Sequence, residues 1–151
     1  MPTRRETLKR SALVAGLLAA TGLFPQYAFA FNKAAFEAKN LADVMKALGA
    51  SAPTESKEVA IGGPDIAEFG AVVPLTASTT LAGVKHLLIL VEKNPSALVA
   101  QFNVTDAVDA NFATRSKMGQ SSDVYAVAIM ADGKSFFAKK EVKVTLGGCG
   151  G

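Results

Sequence analysis

The sequence predicts a mostly β protein, an antiparallel β-sandwich entered through a short N-terminal helical segment. Three observations carry this. From Glu58 onward, seven short runs are apolar or alternate apolar with polar residues, at the regular spacing of sandwich strands. Residues with turn chemistry separate these runs. Helical periodicity is confined to residues 32–48. The chain has 151 residues, of which 50% are hydrophobic and 19% charged, a length and composition that suit one globular domain and exclude a disordered chain.

The first thirty residues read as an export signal. A basic start with Arg4, Arg5, Lys9 and Arg10 precedes an apolar run from Ala12 to Phe24, then Pro25, then Ala28-Phe29-Ala30. The run falls short of the roughly 20 apolar residues of a membrane span. Ala28 and Ala30 have the spacing a signal peptidase requires, which places the mature start at Phe31. The paired arginines followed by Leu8 and Lys9 resemble the twin-arginine export motif; an ordinary secretory signal is the alternative. Periplasmic localisation by the twin-arginine route is therefore expected. The leader also carries the whole formal net charge of +3, because Glu6 alone offsets its four cations. The remainder is neutral and gives no reason to expect nucleic acid or membrane partners.

Within residues 32–48, Asn32 is placed to cap a first turn, with Phe31 and Phe36 as a hydrophobic staple. Leu41, Val44, Met45 and Leu48 recur at helical spacing and Gly49 terminates the pattern. Asn40 with Asp43 is a second cap, so one helix or two short ones are both expected. Ser51 to Lys57, containing Pro53, reads as a linker.

The strand runs are Val59–Ile61, Ala71–Leu75, Val84–Val91, Leu98–Val104, Phe112–Met118, Val124–Met130 and Phe136–Leu146. Asp132-Gly133 between the last two is a type I′ hairpin signal. Val84–Val91 and Val124–Ala131 are apolar on both faces, whereas a sandwich strand normally buries one. The second face must be covered, either by the N-terminal helix or by a partner protein.

The chemistry is expected at the end of the chain. Gly147, Gly148, Gly150 and Gly151 flank Cys149, the only cysteine. A lone cysteine excludes an internal disulfide and any zinc site of several thiolates. Side-chain-free glycines contribute reach and thinness rather than packing, which suits a thiol presented down a narrow channel to several active sites. At the ordinary thiol pKa only a few per cent is thiolate at neutral pH, and the nearby terminal carboxylate disfavours it further. Such a thiol is a carrier's attachment point, activated by whichever enzyme receives it. His86, the only histidine, reads as a strand-end residue rather than a catalytic partner of Cys149. Lys139, Lys140 and Lys143 precede the tail and read as a solvated strand face, with attraction of an anionic adduct as the alternative. No phosphate loop, HExxH pattern or paired-carboxylate motif is present.

With this tail, the chain resembles the SoxY family, sulfur-carrier subunits of the bacterial thiosulfate-oxidising (Sox) system. Further resemblance lies in Pro64-Asp65-Ile66-Ala67-Glu68, Val72-Val73-Pro74-Leu75, Glu92-Lys93-Asn94-Pro95, Lys117-Met118 and Val142-Lys143-Val144-Thr145. Phe69 and Ser116 depart from the family's usual Asn and aliphatic residue, which bears on partner contacts rather than on the arm. The resemblance implies an immunoglobulin-like sandwich that pairs with SoxZ, and Cys149 as the covalent attachment point for thiosulfate-derived sulfur. It implies three acting enzymes: a conjugating c-type cytochrome, a manganese-dependent sulfate-releasing hydrolase and, where present, a molybdenum-haem sulfane dehydrogenase. Their metals belong to them; no metal or other cofactor and no catalytic residue is expected in this chain. The expected organisation is an export signal over 1–30, a carrier domain over 31–146 and a flexible Gly-Gly-Cys-Gly-Gly arm over 147–151. Two other functions compete. One is a ubiquitin-like sulfur carrier bearing a thiocarboxylate on Gly151. The other is a non-catalytic interaction module whose Cys149 forms a disulfide-linked homodimer.

Overall fold

The computed structural model describes residues 3–10, 13 and 32–145. The chain divides between Phe31 and Asn32 into two units. In the first, residues 4–10 are helical. A reciprocal cap opens this segment: the Glu6 amide donates to Thr3 Oγ1 at 3.4 Å and the Thr3 amide donates to Glu6 Oε2 at 3.1 Å. Among the described residues no helix is long and apolar enough to cross a membrane.

The second unit begins with two short helices rather than one, α1 (Lys33–Glu37) and α2 (Leu41–Ala47). Both asparagine caps form. Asn32 Oδ1 accepts from the Ala35 amide at 3.1 Å, and Asn40 Oδ1 accepts from the Asp43 amide at 2.8 Å. The second cap interrupts the helical run because an Asn side chain that takes an amide proton competes with the backbone carbonyl. Asn32 Nδ2 also donates to the Ala47 carbonyl at 3.0 Å, tying the start of α1 to the end of α2. The expected staple involves Phe31, which lies outside the described residues; Phe36 packs in the core beneath the helices.

Nine strands follow: β1 (Thr54–Glu55), β2 (Val59–Gly62), β3 (Ile66–Ala67), β4 (Val73–Thr79), β5 (Val84–Val91), β6 (Leu98–Asn103), β7 (Asn111–Ser116), β8 (Ser122–Met130) and β9 (Ser135–Val144). They form two sheets. One has the order β1-β9-β8-β5-β6, with β3 added alongside β9; the other is β2-β4-β7. All pairings are antiparallel except those of β1 and β3, which run parallel to β9. The expected sandwich is therefore present, with two strands added. The linker expected over Ser51–Lys57 contains β1, and β3 lies between the expected runs Val59–Ile61 and Ala71–Leu75, after Gly62-Gly63-Pro64. Each pairs over two residues only, too short for alternation to register in sequence. β4 also lies later than expected, because its inward positions Val73, Leu75 and Ala77 end on a small residue that hides the alternation.

The two faces of β5 and β8 are both buried, and by different layers. Leu87, Ile89, Val91, Val124, Ala126 and Ala128 point between the sheets with Val73, Leu75 and Val142. Leu88, Leu90, Val127 and Ile129 point away from the second sheet, into a separate core completed by Ala35, Val44 and Met45 of the helices. This parity follows from the period-2 alternation of strand side chains. The helical pair is thus the cover that the doubly apolar strands demand. Ser96 Oγ donates to the Phe36 carbonyl, the Ala97 amide to the Ala38 carbonyl at 3.0 Å and Lys39 Nζ to the Pro95 carbonyl at 2.8 Å, fixing the helices to the β5–β6 loop.

The β8–β9 turn differs from the expected type I′. Only Gly133 takes positive φ, at 86°. The Met130 amide donates to the Lys134 carbonyl at 2.8 Å and the Gly133 amide to the Met130 carbonyl at 3.1 Å. Three residues rather than two form the loop, so a type I turn is followed by a left-handed glycine, the other common hairpin solution.

Candidate functional site: the root of the C-terminal segment

Cys149 and its flanking Gly147, Gly148, Gly150 and Gly151 lie outside the described residues. The structure describes the chain that leads to them as far as Thr145. β9 runs ten residues and carries the chain to Thr145. Its end is held on two sides. The Lys143 amide donates to the Asp65 carbonyl at 3.0 Å and the Thr145 amide to the Ala67 carbonyl at 3.1 Å. From the other side, Ser121 Oγ accepts from the Val144 amide at 2.9 Å. The chain therefore leaves the sandwich between β3 and the β7–β8 loop.

The segment 63–72, which contains β3, forms a strap along this exit. Gly70 is its point of closest approach. The Met118 amide donates to the Gly70 carbonyl at 2.7 Å, and a Cβ at Gly70 would run into the Met118 carbonyl oxygen and lie 2.8 Å from Val144 Cγ1. Only glycine allows that contact. Lys140 holds the start of the strap, with Nζ 2.8 Å from Asp65 Oδ1 and donating to the Gly63 carbonyl at 2.6 Å. The hydrogen bond and charge of Lys140 keep the Asp65 carboxyl below its ordinary range.

The three lysines do not converge. Lys139 faces the other way along β9, 3.4 Å from Asp123, whose hydrogen bond and charge raise the Lys139 pKa. Adjacent strand residues point to opposite faces, so Lys139 and Lys140 are drawn to separate carboxylates. Lys143 has no ion pair among the described residues. His86 is remote from the root. It pairs with Ile129 and Asn103, and Ile129 in turn pairs with Ser135 at the start of β9. Ten residues of strand separate Ser135 from Thr145, roughly 33 Å. Four residues from Thr145 to Cys149 reach at most about 14 Å, so His86 cannot serve that thiol within one molecule. His86 Nδ1 instead lies 2.9 Å from Asn103 Oδ1, a strand-end hydrogen bond.

The strap also exposes three large apolar side chains, Ile66 (56%), Phe69 (67%) and Val72 (49%). Sequence reasoning did not place these at the root. The available signal was Gly62-Gly63-Pro64 followed by Gly70, which brackets a closely packed irregular segment.

Comparison with known proteins agrees with this architecture. The family profile described as "Sulfur oxidation protein SoxY" matches residues 44–149. The sulfur carrier protein SoxY from Chlorobium limicola f thiosulfatophilum superposes with a TM-score of 0.64 at 34% identity, covering 71% of this chain and 97% of that one. A variant of the superoxide reductase (neelaredoxin) from Ignicoccus hospitalis superposes at 0.52 with 16% identity, covering 60% and 82%, a likeness of fold alone. No curated protein sequence matches significantly.

Proposed function

The chain belongs to the SoxY family of sulfur oxidation proteins, and on that premise we propose that it holds thiosulfate-derived sulfur covalently on the thiol of Cys149. The observation that carries this reading is that the family match extends through the last strand to Cys149 itself. A thiol four residues beyond Thr145 is offered to enzymes that dock at the root, while the sandwich stays folded. The organisation that serves this is an export signal over 1–30, a carrier domain over 31–146 and an arm over 147–151, with Gly147, Gly148, Gly150 and Gly151 giving the thiol access. The carrier acts in the periplasm after twin-arginine export and pairs with SoxZ.

The chemistry balances without a cofactor in this chain. Oxidative coupling joins the Cys149 sulfur to the outer sulfur of thiosulfate, releasing one proton and passing two electrons to the conjugating c-type cytochrome. Hydrolysis by the manganese-dependent enzyme then breaks the bond between sulfane and sulfonate sulfur; water supplies the oxygen, sulfate leaves and a persulfide remains on Cys149. A molybdenum-haem sulfane dehydrogenase oxidises that sulfur where it is present.

Intact mass of the protein purified from periplasm tests the reading. Sulfur or thiosulfonate additions that map to Cys149 and are released by reductant are expected. A doubled, reducible mass with no adduct would instead identify a disulfide-linked homodimer, and a sulfur-for-oxygen change at Gly151 a thiocarboxylate carrier.

A further inference from the structure

Val142 is the last residue of β9 paired with β8, and three more residues carry the chain to Thr145. Their amides are held from two sides. Those of Lys143 and Thr145 donate to the Asp65 and Ala67 carbonyls of the strap, whereas that of Val144 meets a single hydroxyl, Ser121 Oγ. The strap is thus the principal support of the chain's exit. We propose that Lys140 is a positioning residue that sets the reach of Cys149, because its clamp on Gly63 and Asp65 holds β3 against the end of β9. Release of β3 moves the origin of the segment carrying Cys149 from Thr145 back to Val142. The use of this for transfer rests on the carrier reading.

Reach then has two values. Four residues from Thr145 to Cys149 extend at most about 14 Å, and seven from Val142 at most about 25 Å. The longer value suits a deeper enzyme site and breaks no pairing between β8 and β9.

Little besides Lys140 holds the strap. Along residues 63–70 the one buried side chain is that of Ala67, a single methyl group. β3 pairs with β9 over two residues, and Thr145 Oγ1 adds a longer bond of 3.4 Å to the Ala67 carbonyl. The far end is tied by backbone, with the Met118 amide on the Gly70 carbonyl and Val73 paired with Ser116. At the near end, residues 63–65, Lys140 supplies the only side-chain bonds from outside the strap among the described residues. Of its two contacts the charged hydrogen bond to the Gly63 carbonyl matters more. The Asp65 side chain is 91% exposed, so water screens that attraction. No other charge substitutes for Lys140. Glu68 on the strap, Lys143 on β9 and the cations Arg115 and Lys117 flanking Ser116 make no ion pair among the described residues. An element with so few buried contacts opens locally while the rest of the fold stays intact.

Cys149 is the only cysteine, so a second one reads its reach. Glu55 is exposed and pairs with Phe137, which lies eight residues before Thr145 on β9, roughly 26 Å away. A disulfide needs its two Cα atoms within about 7 Å. From Thr145 the bond cannot close, because about 14 Å of chain and about 7 Å of bridge fall short. From Val142, roughly 17 Å from Phe137, it can. The test uses the processed Glu55→Cys chain with its heterodimer partner, oxidised by glutathione disulfide at low protein concentration. Peptide mass spectrometry follows the intramolecular link to Cys149. Adding Lys140→Met should raise its initial rate about tenfold, and Lys140→Arg should keep it within about twofold of the parent. Exchange of the Lys143 and Thr145 amides should rise by a similar factor, with Ala128 exchange and the melting temperature unchanged. Equal disulfide rates with and without Lys140→Met overturn the proposal and leave the carrier reading intact. A rise shared by Ala128 exchange also overturns it, since that marks general loosening. A wild-type Cys149 that accepts no sulfur overturns the carrier reading and, with it, the use given to the clamp.

Discussion

The amide of Thr145 donates to the carbonyl of Ala67 at 3.1 Å, one step past the two-residue pairing of β3 with β9. It is the last of the bonds between β9 and the strap among the described residues. With the Ser121 contact to Val144 on the other side, it fixes the point from which Cys149 is measured.

Cys149→Ser should abolish carrier function and leave folding intact. The thiol lies beyond the last strand, so the unfolding free energy should change by less than about 1 kcal/mol in urea titration. A larger loss would give the tail a structural role.

Replacing Gly148 and Gly150 together with Val adds branched bulk on both sides of the thiol without adding a charge or proton donor. Reaction of Cys149 with a small disulfide dye should fall by less than about threefold. Loading by partner enzymes should fall on the order of a hundredfold, because misplacing a reacting atom is costly. Near wild-type loading would show that the glycines do not serve access.

Gly70→Ala should destabilise the protein by about 2 kcal/mol, read as a lower urea midpoint at unchanged slope. The added methyl would collide with the Met118 carbonyl oxygen, and backbone cannot give way as a side-chain tip can. Gly119→Ala, with nothing within 4 Å, should stay within about 0.5 kcal/mol.

Val44→Asp should unseat the helical cover. Val44 is fully buried against Leu88, Leu90 and Val127, and an unpaired carboxylate there costs several kcal/mol, about 3 or more. Exposing that apolar face should produce concentration-dependent self-association in sedimentation of the reduced protein. Lys46→Gln, on the exposed side of α2, should leave the monomer unchanged.

The Asp65 carboxyl is held below its ordinary value of 3.8 by Lys140, so its contribution to the strap is present above that pH and is lost as pH falls through the lowered value. An NMR titration should place the Asp65 midpoint below 3.8 in the wild type and return it toward 3.8 in Lys140→Met. Equal midpoints in the two proteins would show that the contact does not persist in solution.

Local chemistry was largely readable from residue order. The bounds Val84–Val91 match β5. Both asparagine caps form where Asn32 and Asn40 stand, because capping involves residues three apart. The doubly apolar pattern of β5 and β8 announced a second buried face, since unburied it would have left a large apolar surface in water.

What covers that second face, and what surrounds the exit of the chain, came only from the tertiary structure. Asn40 gives no sign that Val44 and Met45 will meet Leu88 and Val127, because that contact joins residues more than 40 positions apart. β1 and β3 have no period to detect; each exists only because β9 offers an unpaired edge with backbone donors and acceptors to satisfy. The same holds for Ile66, Phe69 and Val72, ordinary apolar residues in sequence. Residue order determined that they are apolar, and the pairing of a distant strand determined that they stand exposed beside Thr145. Sequence specifies interactions within a few residues, where chain connectivity sets the geometry. Contacts across the sheet depend on which surfaces the whole fold brings together.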